Sequence, residues 1–241
     1  MCEKRTQKLE NPGFKPLVEP LDISRRFIYQ EETLDIIRVH FADVPAIAVV
    51  GMNGVLADPY TGDVDLKTLA VNPQAAQALE TLAQNVPVVV WTTTPKDRAA
   101  EFLKAHDLEK YVTLLIAKEN YVFRELHDDH GQLFMSSVQS ATKYPYMTVE
   151  QRQYMVYPNM DRVHQGSFKL PRLIWDFSKK IIHFEDQMER QRTIAALNKE
   201  VFPNDKDYHF IEVGRFNVGQ EEMSQPVFSE EVVLEALSQL G

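Results

Sequence analysis

Three apolar runs along the chain end in polar residues. Gly51-Met52-Asn53-Gly54 follows Ala46-Ile47-Ala48-Val49-Val50, Thr92-Thr93-Thr94 follows Val88-Val89-Val90-Trp91, and Glu185-Asp186 follows Ile181-Ile182-His183-Phe184. Lys169 precedes the last of these runs. If the runs are strands of an open parallel sheet, their carboxyl ends share one rim, and ligands of such sheets sit outside that rim. The residue types set limits on the chemistry. Gly51 has no side chain and cannot be a nucleophile, and Asn53 has no titratable proton and cannot be a general acid. What Gly51 does allow is close approach of backbone to an anion, with loop N–H groups as donors. Glu185 and Asp186 are the carboxylates of the set, and Mg²⁺ usually takes one or two carboxylates together with substrate oxygens. Each position also has a plain structural reading. Gly and Asn are common turn residues after a strand, Thr92 can cap a following helix, and Lys169 can be a surface lysine.

The elements that must position these residues are legible from periodicity. Ala46–Val50 and Val88–Trp91 show no alternation, as strands buried on both faces do. Asn72-Pro73 opens a predicted helix to about residue 85, with Ala76, Leu79, Leu82 and Ala83 on one side. Pro95 suits an early helix position, in a helix that runs to about His106. A third strand is predicted over 112–117. Strand, helix, strand, helix, strand predicts a parallel sheet with right-handed crossovers. The pattern lapses over 119–168, read as an insertion. It resumes with a helical stretch at 169–176, a strand at 180–184, a helix at 188–199 and a strand at 208–213. Residues 214–228 read as loop, and Ser229 caps a last helix over 230–240 with acids in its first turn. At the other end, residues 1–22 carry Pro12, Pro16 and Pro20 and read as an extended arm. Ser24 caps a helix over 25–41 of imperfect periodicity. The expected organisation is an arm at 1–22, an α/β domain at 23–213 and a C-terminal loop and helix at 214–241. The expected fold class is a Rossmann-like, three-layer α/β/α arrangement with a mainly parallel sheet and an inserted segment.

The ordered set of strand-end residues resembles the haloacid dehalogenase (HAD) superfamily. Gly51-Met52-Asn53-Gly54-Val55-Leu56 stands where that superfamily keeps Asp-x-Asp-Gly-(Thr/Val)-Leu, Thr92 where it keeps a Thr or Ser, Lys169 where it keeps a Lys, and Glu185-Asp186 where it keeps a late acidic pair. The nearest branch is the C-terminal-domain-phosphatase and NLI-interacting-factor type. The matching residues are Lys169-Leu170-Pro171-Arg172-Leu173, then Asp176-Phe177-Ser178-Lys179-Lys180-Ile181-Ile182-His183-Phe184-Glu185-Asp186, with Phe123-Arg124-Glu125 similar to that branch's arginine-containing stretch. The resemblance covers roughly residues 45–200. It implies a phosphatase in which the first Asp attacks phosphorus, the second protonates the leaving group, Thr and Lys hold phosphoryl oxygens, and the late acids help hold Mg²⁺. A carboxylate nucleophile splits one hard displacement into two easier ones, and here Gly51 and Asn53 replace both carboxylates of that loop. Thr92 and Lys169 keep positions that would hold an anion. Glu185 reaches one methylene further than the expected Asp, and Asp186 is retained, which leaves a weak Mg²⁺ site at most.

Composition narrows the classes. The chain has 241 residues, 44% hydrophobic and 25% charged, enough for a sizeable core without disulfide or structural metal. The formal charge of −9 disfavours nucleic acid. The single cysteine, Cys2, forms no internal disulfide, which fits a reducing compartment. No apolar run is long enough to span a bilayer, and the N-terminus leads into no secretory h-region. The expected location is cytoplasmic, with specialised export left open. His127-Asp128-Asp129-His130-Gly131 concentrates metal-ligand types, but adjacent residues rarely converge on one ion, and a solvated turn is favoured. The Tyr- and Met-rich stretch from Lys143 to Pro158 suits either a partner surface or the inside of a small insertion. His183 reads as a packed core histidine. Glu221-Glu222 and Glu230-Glu231 read as solvated faces, with a compositional likeness to acidic tails of some exported bacterial effectors. No P-loop, Gly-x-Ser-x-Gly or His-Glu-x-x-His occurs.

The sequence therefore predicts a catalytically degenerate HAD-like protein, a pseudophosphatase with no cofactor or a weakly held Mg²⁺. It would act through a protein partner as a scaffold or regulatory component, and the arm, the insertion and the C-terminal tail are its expected contact surfaces. The alternative is a divergent Mg²⁺-dependent phosphatase that uses Glu185 or Asp186, with Thr92 and Lys169, to orient water on a phosphorylated substrate. That alternative requires those four residues to meet in one pocket.

Overall fold

The uninterrupted apolar runs become the middle of a sheet. The computed structural model describes residues 15–23, 31–59, 64–92, 94–117, 120, 125–127, 133–135, 180–186, 208–218 and 226–240. Its strands are β1 (Ala46–Val50), β2 (Val88–Trp91), β3 (Leu114–Ile116), β4 (Glu125–His127), β5 (Leu133–Met135), β6 (Lys180–Glu185) and β7 (Tyr208–Glu212). The described helices are α1 (Glu31–His40), α2 (Ala75–Asn85), α3 (Lys96–Ala105) and α4 (Glu230–Ser238), with a 3-10 turn at Glu109–Tyr111. Five strands form one sheet in the order β3-β2-β1-β6-β7, and all its pairings are parallel. Every residue of β1 and β2 is buried. Both faces of the sheet are therefore covered, as an α/β/α layering requires. This is the Rossmann-like α/β fold expected from the sequence.

Chain order and sheet order together locate the rim that matters. From β1 the chain builds outward through β2 to β3, then returns to the opposite side of β1 with β6 and β7. The order reverses between β1 and β6, and ligands of open α/β sheets bind at such a reversal. Register fixes what meets there: Val50 lies beside Phe184, and the Gly51 N–H donates to the Phe184 carbonyl at 3.0 Å. The next residues along, Gly51 and Glu185, are therefore neighbours across the strands.

The packing follows from the helical faces. Helix α2 buries Ala75, Ala78, Leu79, Leu82 and Ala83, and it contacts α4, which buries Val232, Val233 and Ala236. Ser229 caps α4 as expected, its hydroxyl accepting from the Val232 N–H at 3.4 Å. Glu230 is not simply solvated, because it accepts a hydrogen bond from the Thr81 hydroxyl at 3.1 Å. The stretch before α4 is more than loop. Gly214 bridges to Val227, and the fully buried Phe228 ring meets Phe184 edge-on at 5.2 Å between centroids. At the other sheet edge the last part of the arm stays extended. Leu21 bridges to Leu114 in parallel, Ile23 is buried, and the Asn120 side chain donates to the Ile23 carbonyl at 2.9 Å. His183 is a core residue, packed edge-on against Phe210. Within 119–168, β4 and β5 form a separate antiparallel pair in which His127 faces Leu133. The remainder of the His127–Gly131 stretch, the Tyr- and Met-rich stretch, Glu221-Glu222, Cys2 and the predicted helices at 169–176 and 188–199 lie outside the described residues.

One boundary differs from expectation for a specific reason. Helix α2 begins at Ala75, later than Asn72-Pro73, because Asn72 is fully engaged in holding the turn before it. Its Oδ1 accepts from the Gln74 N–H at 3.0 Å, and its Nδ2 donates to the Phe228 carbonyl at 2.8 Å and the Val55 carbonyl at 3.2 Å. Asn72 is 1% exposed, so two buried carbonyls and the N–H of Gln74 depend on one side chain. Asn72→Ala should lower the urea midpoint by an amount equal to about 2–4 kcal/mol, since each buried group left unsatisfied costs about 1–3 kcal/mol and water recovers part of the loss.

Candidate functional site

The loop after β1 is folded on itself. Gly54 donates its N–H to the Ala57 carbonyl at 2.8 Å, and Leu56 and Ala57 both donate to the Met52 carbonyl at 2.9 Å. With Gly51 bonded to Phe184, four of the loop N–H groups that could have faced an anion are used within the protein. Met52, Val55, Leu56 and Ala57 are buried, so the loop is anchored into the core by its apolar side chains. Asn53 is half-buried and pairs with Ala57 across the turn.

Glu185 fills the space beside Gly51. A Cβ at position 51 would lie 2.9 Å from Glu185 Oε1 and 3.0 Å from Oε2. An approach of 2.9 Å is one that Cβ atoms essentially never show, so any larger residue at position 51 moves the Glu185 carboxylate, the far end of a flexible side chain, aside. The glutamate is 4% exposed, and its Oε1 accepts from the Asp186 N–H at 3.1 Å. Asp186 does the same one turn away. Gly54 has φ +81°, which favours glycine in its own right, and a Cβ there would fall within the Asp186 carboxylate. The two glycines are thus the floor on which two carboxyl groups rest.

Arg215, in the segment after β7, completes the cluster. Its Nε donates to Asp186 Oδ2 at 2.5 Å. The Asp186 side chain is 1% exposed and that of Arg215 is 45% exposed, so the cation caps a buried acid from the solvent side. Burial first, then the hydrogen bond and the charge of Glu185, against the opposing Arg215, raise the Asp186 carboxyl from its ordinary 3.8 to about 7. As a carboxylate, Asp186 leaves Oδ1 without a hydrogen-bond partner among the described residues. A proton on Asp186 supplies the donor that lets it bond to its acidic neighbour.

The other predicted positions fare differently. Thr92 directly follows β2, one strand over on the same rim, and is buried. Its hydroxyl donates to the Thr94 hydroxyl and accepts from the Thr94 N–H, each at 3.1 Å, so it shapes its own turn. It does not cap α3, whose cap position is Pro95. Lys169 lies outside the described residues. Gly51, Gly54, Glu185, Asp186 and Arg215 are brought together. Arg215 carries no motif, and the one signal pointing to it is the need of two adjacent strand-end acids for a counter-charge.

This set does not fit a divalent cation. Mg²⁺ demands near-octahedral oxygen ligands at about 2.0–2.1 Å. Here one Asp186 oxygen is bonded to a guanidinium, and Glu185 is turned onto Gly51 and the Asp186 amide. Among the described residues no group of three His, Cys, Asp or Glu side chains is placed to hold a metal ion.

No protein-family model matches the chain, and a search of curated proteins finds none similar. Among solved structures the chain is similar to a protein described as a beta-phosphoglucomutase from Thermotoga maritima, with 16% identity over 80% of this chain and 99% of that one and a TM-score of 0.41. It is also similar to trehalose-6-phosphate phosphatase from Aspergillus fumigatus, with 15% identity, 92% and 98% coverage and a TM-score of 0.40. The C-terminal domain of the C. albicans trehalose-6-phosphate phosphatase matches at 12% identity, 94% and 99% coverage and a TM-score of 0.37. Likeness at this level carries no chemistry to this chain.

Two outcomes follow from the rim geometry. Gly51→Ala should destabilise the protein by about 1–3 kcal/mol, the usual cost of overpacking. In an Glu185→Ala background the same change should cost at least about 1 kcal/mol less, since contacting residues couple by about 0.5–3 kcal/mol; equal costs in both backgrounds would show that the two side chains do not meet. The Asp186 carboxyl supplies the second outcome. With its folded value near 7 and its ordinary value 3.8, the folded chain holds a proton that the unfolded chain has released between those limits. Its contribution to stability is fully present below about pH 4, declines as pH rises to about 7, and is level above that. Denaturation midpoints measured across that range should decline less steeply for Asp186→Asn than for the unaltered chain.

Proposed function

We propose that this chain is a HAD-like pseudophosphatase of the C-terminal-domain-phosphatase and NLI-interacting-factor type that acts by binding a protein partner. The observation that carries this reading is the Glu185 carboxylate packed against Gly51. Position 51 is where the family resemblance puts the nucleophile, and the room for a nucleophile's side chain is taken by another residue of the rim. Asn53 in the general-acid position supports the same reading, because an amide has no proton to give at neutral pH. So does the commitment of the Gly51, Gly54, Leu56 and Ala57 N–H groups to internal carbonyls. With chemistry set aside, the scaffold's use is recognition. A net charge of −9 argues against nucleic acid as the partner, and no described helix is long and apolar enough to cross a membrane. A cytoplasmic location fits the single cysteine.

One observation favours a second reading. A buried carboxyl that titrates near 7 is matched to proton transfer at neutral pH. Asp186 would then be the general acid or base of a divergent hydrolase acting on a phosphorylated substrate. Its 1% exposure weighs against this, since a proton-transfer group must reach the reacting atom.

An aryl phosphate assay separates the two. With purified protein and excess Mg²⁺, phosphate release should not exceed the buffer blank. Turnover above the blank that is lost in Asp186→Asn or Thr92→Ala would overturn the pseudophosphatase reading and establish the hydrolase.

A further inference from the structure

We infer that Arg215 is the resident cation of the β1–β6 rim, its guanidinium standing in for a divalent metal ion, so that the chain holds its paired acids without metal. This goes beyond the absence of turnover, because a protein lacking a nucleophile can still bind Mg²⁺ through its remaining carboxylates. Glu185 and Asp186 are consecutive, and both side chains are withdrawn from water. Burying acids without a counter-charge costs several kcal/mol per ion. A metal ion is one solution, and an arginine is another. The guanidinium cannot be deprotonated and presents a fixed fork of donors to carboxylates.

The backbone on either side of Arg215 is fastened next to the rim. Just before it, the Val213 N–H donates to the Glu185 carbonyl at 3.1 Å, and the Gly214 N–H donates to the Pro226 carbonyl at 2.8 Å. Just after it, the Phe216 N–H donates to the Gly54 carbonyl at 2.8 Å, and the Val218 N–H donates to Asp58 Oδ1 at 3.0 Å. Residues 213–218 are thereby tied at four points, to β6, to the segment before α4 and to the loop after β1. A surface arginine that met Asp186 by chance would have no such support. The absence of a side chain at Gly54 gives Asp186 its space under the guanidinium. A divalent ion bridging the same acids would have to displace a donor already 2.5 Å from Asp186 Oδ2, on a residue whose backbone is fastened on both sides.

The test uses Mn²⁺ as the probe and the full chain as the protein. Titrated into equimolar Mn²⁺, the unaltered chain should leave the free-ion paramagnetic resonance signal as it leaves it after Asp186→Asn. Arg215→Gln should lower Tm by roughly 5 °C or more. It should then recover part of that loss on addition of Mn²⁺, because a ligand that binds only the folded state stabilises it. Arg215→Lys, which keeps the charge, should sit closer to the unaltered protein without metal. Mn²⁺ binding by the unaltered chain that disappears in Asp186→Asn would overturn the inference. So would an Arg215→Gln protein with unchanged Tm, or one with lowered Tm and no response to Mn²⁺. If Arg215→Gln does not fold, the comparison of the unaltered chain with Asp186→Asn decides alone. Phosphatase turnover plays no part in these readouts, so the inference and the pseudophosphatase reading can fail separately.

Discussion

A carboxylate lying against a glycine is the constraint on which the rim is built. Strands β1 and β6 run parallel in a register that brings Gly51 beside Glu185, and the missing side chain at one position is the space used by the other. The same relation recurs between Gly54 and Asp186. Neither glycine is then an independent choice. Each is tied to an acid on the neighbouring strand end, and the loop that joins them closes its hydrogen bonds internally while its apolar side chains enter the core. The result is a strand-end loop with the outline of an anion cradle and the interior of a packed turn.

Burying two acids at one strand end has consequences further along the chain. Asp186 holds a proton more tightly than a solvated carboxyl because water cannot reach it and because its neighbour is acidic. Arg215 works in the opposite direction, and its position depends on backbone bonds that fasten the segment after β7 to the β1 loop. The sheet edge, the segment before α4 and the rim thus form one mechanical unit. Phe228 adds to it from below by packing against Phe184, the residue that precedes Glu185.

How much of this could be read from sequence depended on how local the signal was. Strands β1 and β2 were plain because continuous apolar runs have few alternatives at that length, and the α4 cap was plain because Ser229 and the following acids act within one turn. The placement of Glu185 and Asp186 at a strand end followed from the run before them. Other features depended on partners far away. Arg215 reads as an ordinary loop residue until Asp186 is set beside it. Asn72 reads as a helix opener until Phe228 claims its amide. The β4–β5 pair was hidden because three-residue strands leave no periodicity to detect. The internal use of the loop N–H groups was hidden as well, since Gly-Met-Asn-Gly is as compatible with an open cradle as with a closed turn. Lys169 lies outside the described residues, and Thr92, the other position expected to hold an anion, has a hydroxyl that shapes its own turn.

The Asn72 amide and the Phe228 carbonyl it holds are 156 residues apart. β1 likewise waits for β6, which is synthesised long after β2 and β3 are in place. One side of the central strand therefore stays unpaired while the chain between β1 and β6 is made, and loop closure over such distances is slow. The nascent chain has an unpaired, wholly apolar strand edge at β1 until β6 arrives. The yield of folding then depends on what shields that edge until β6 is made.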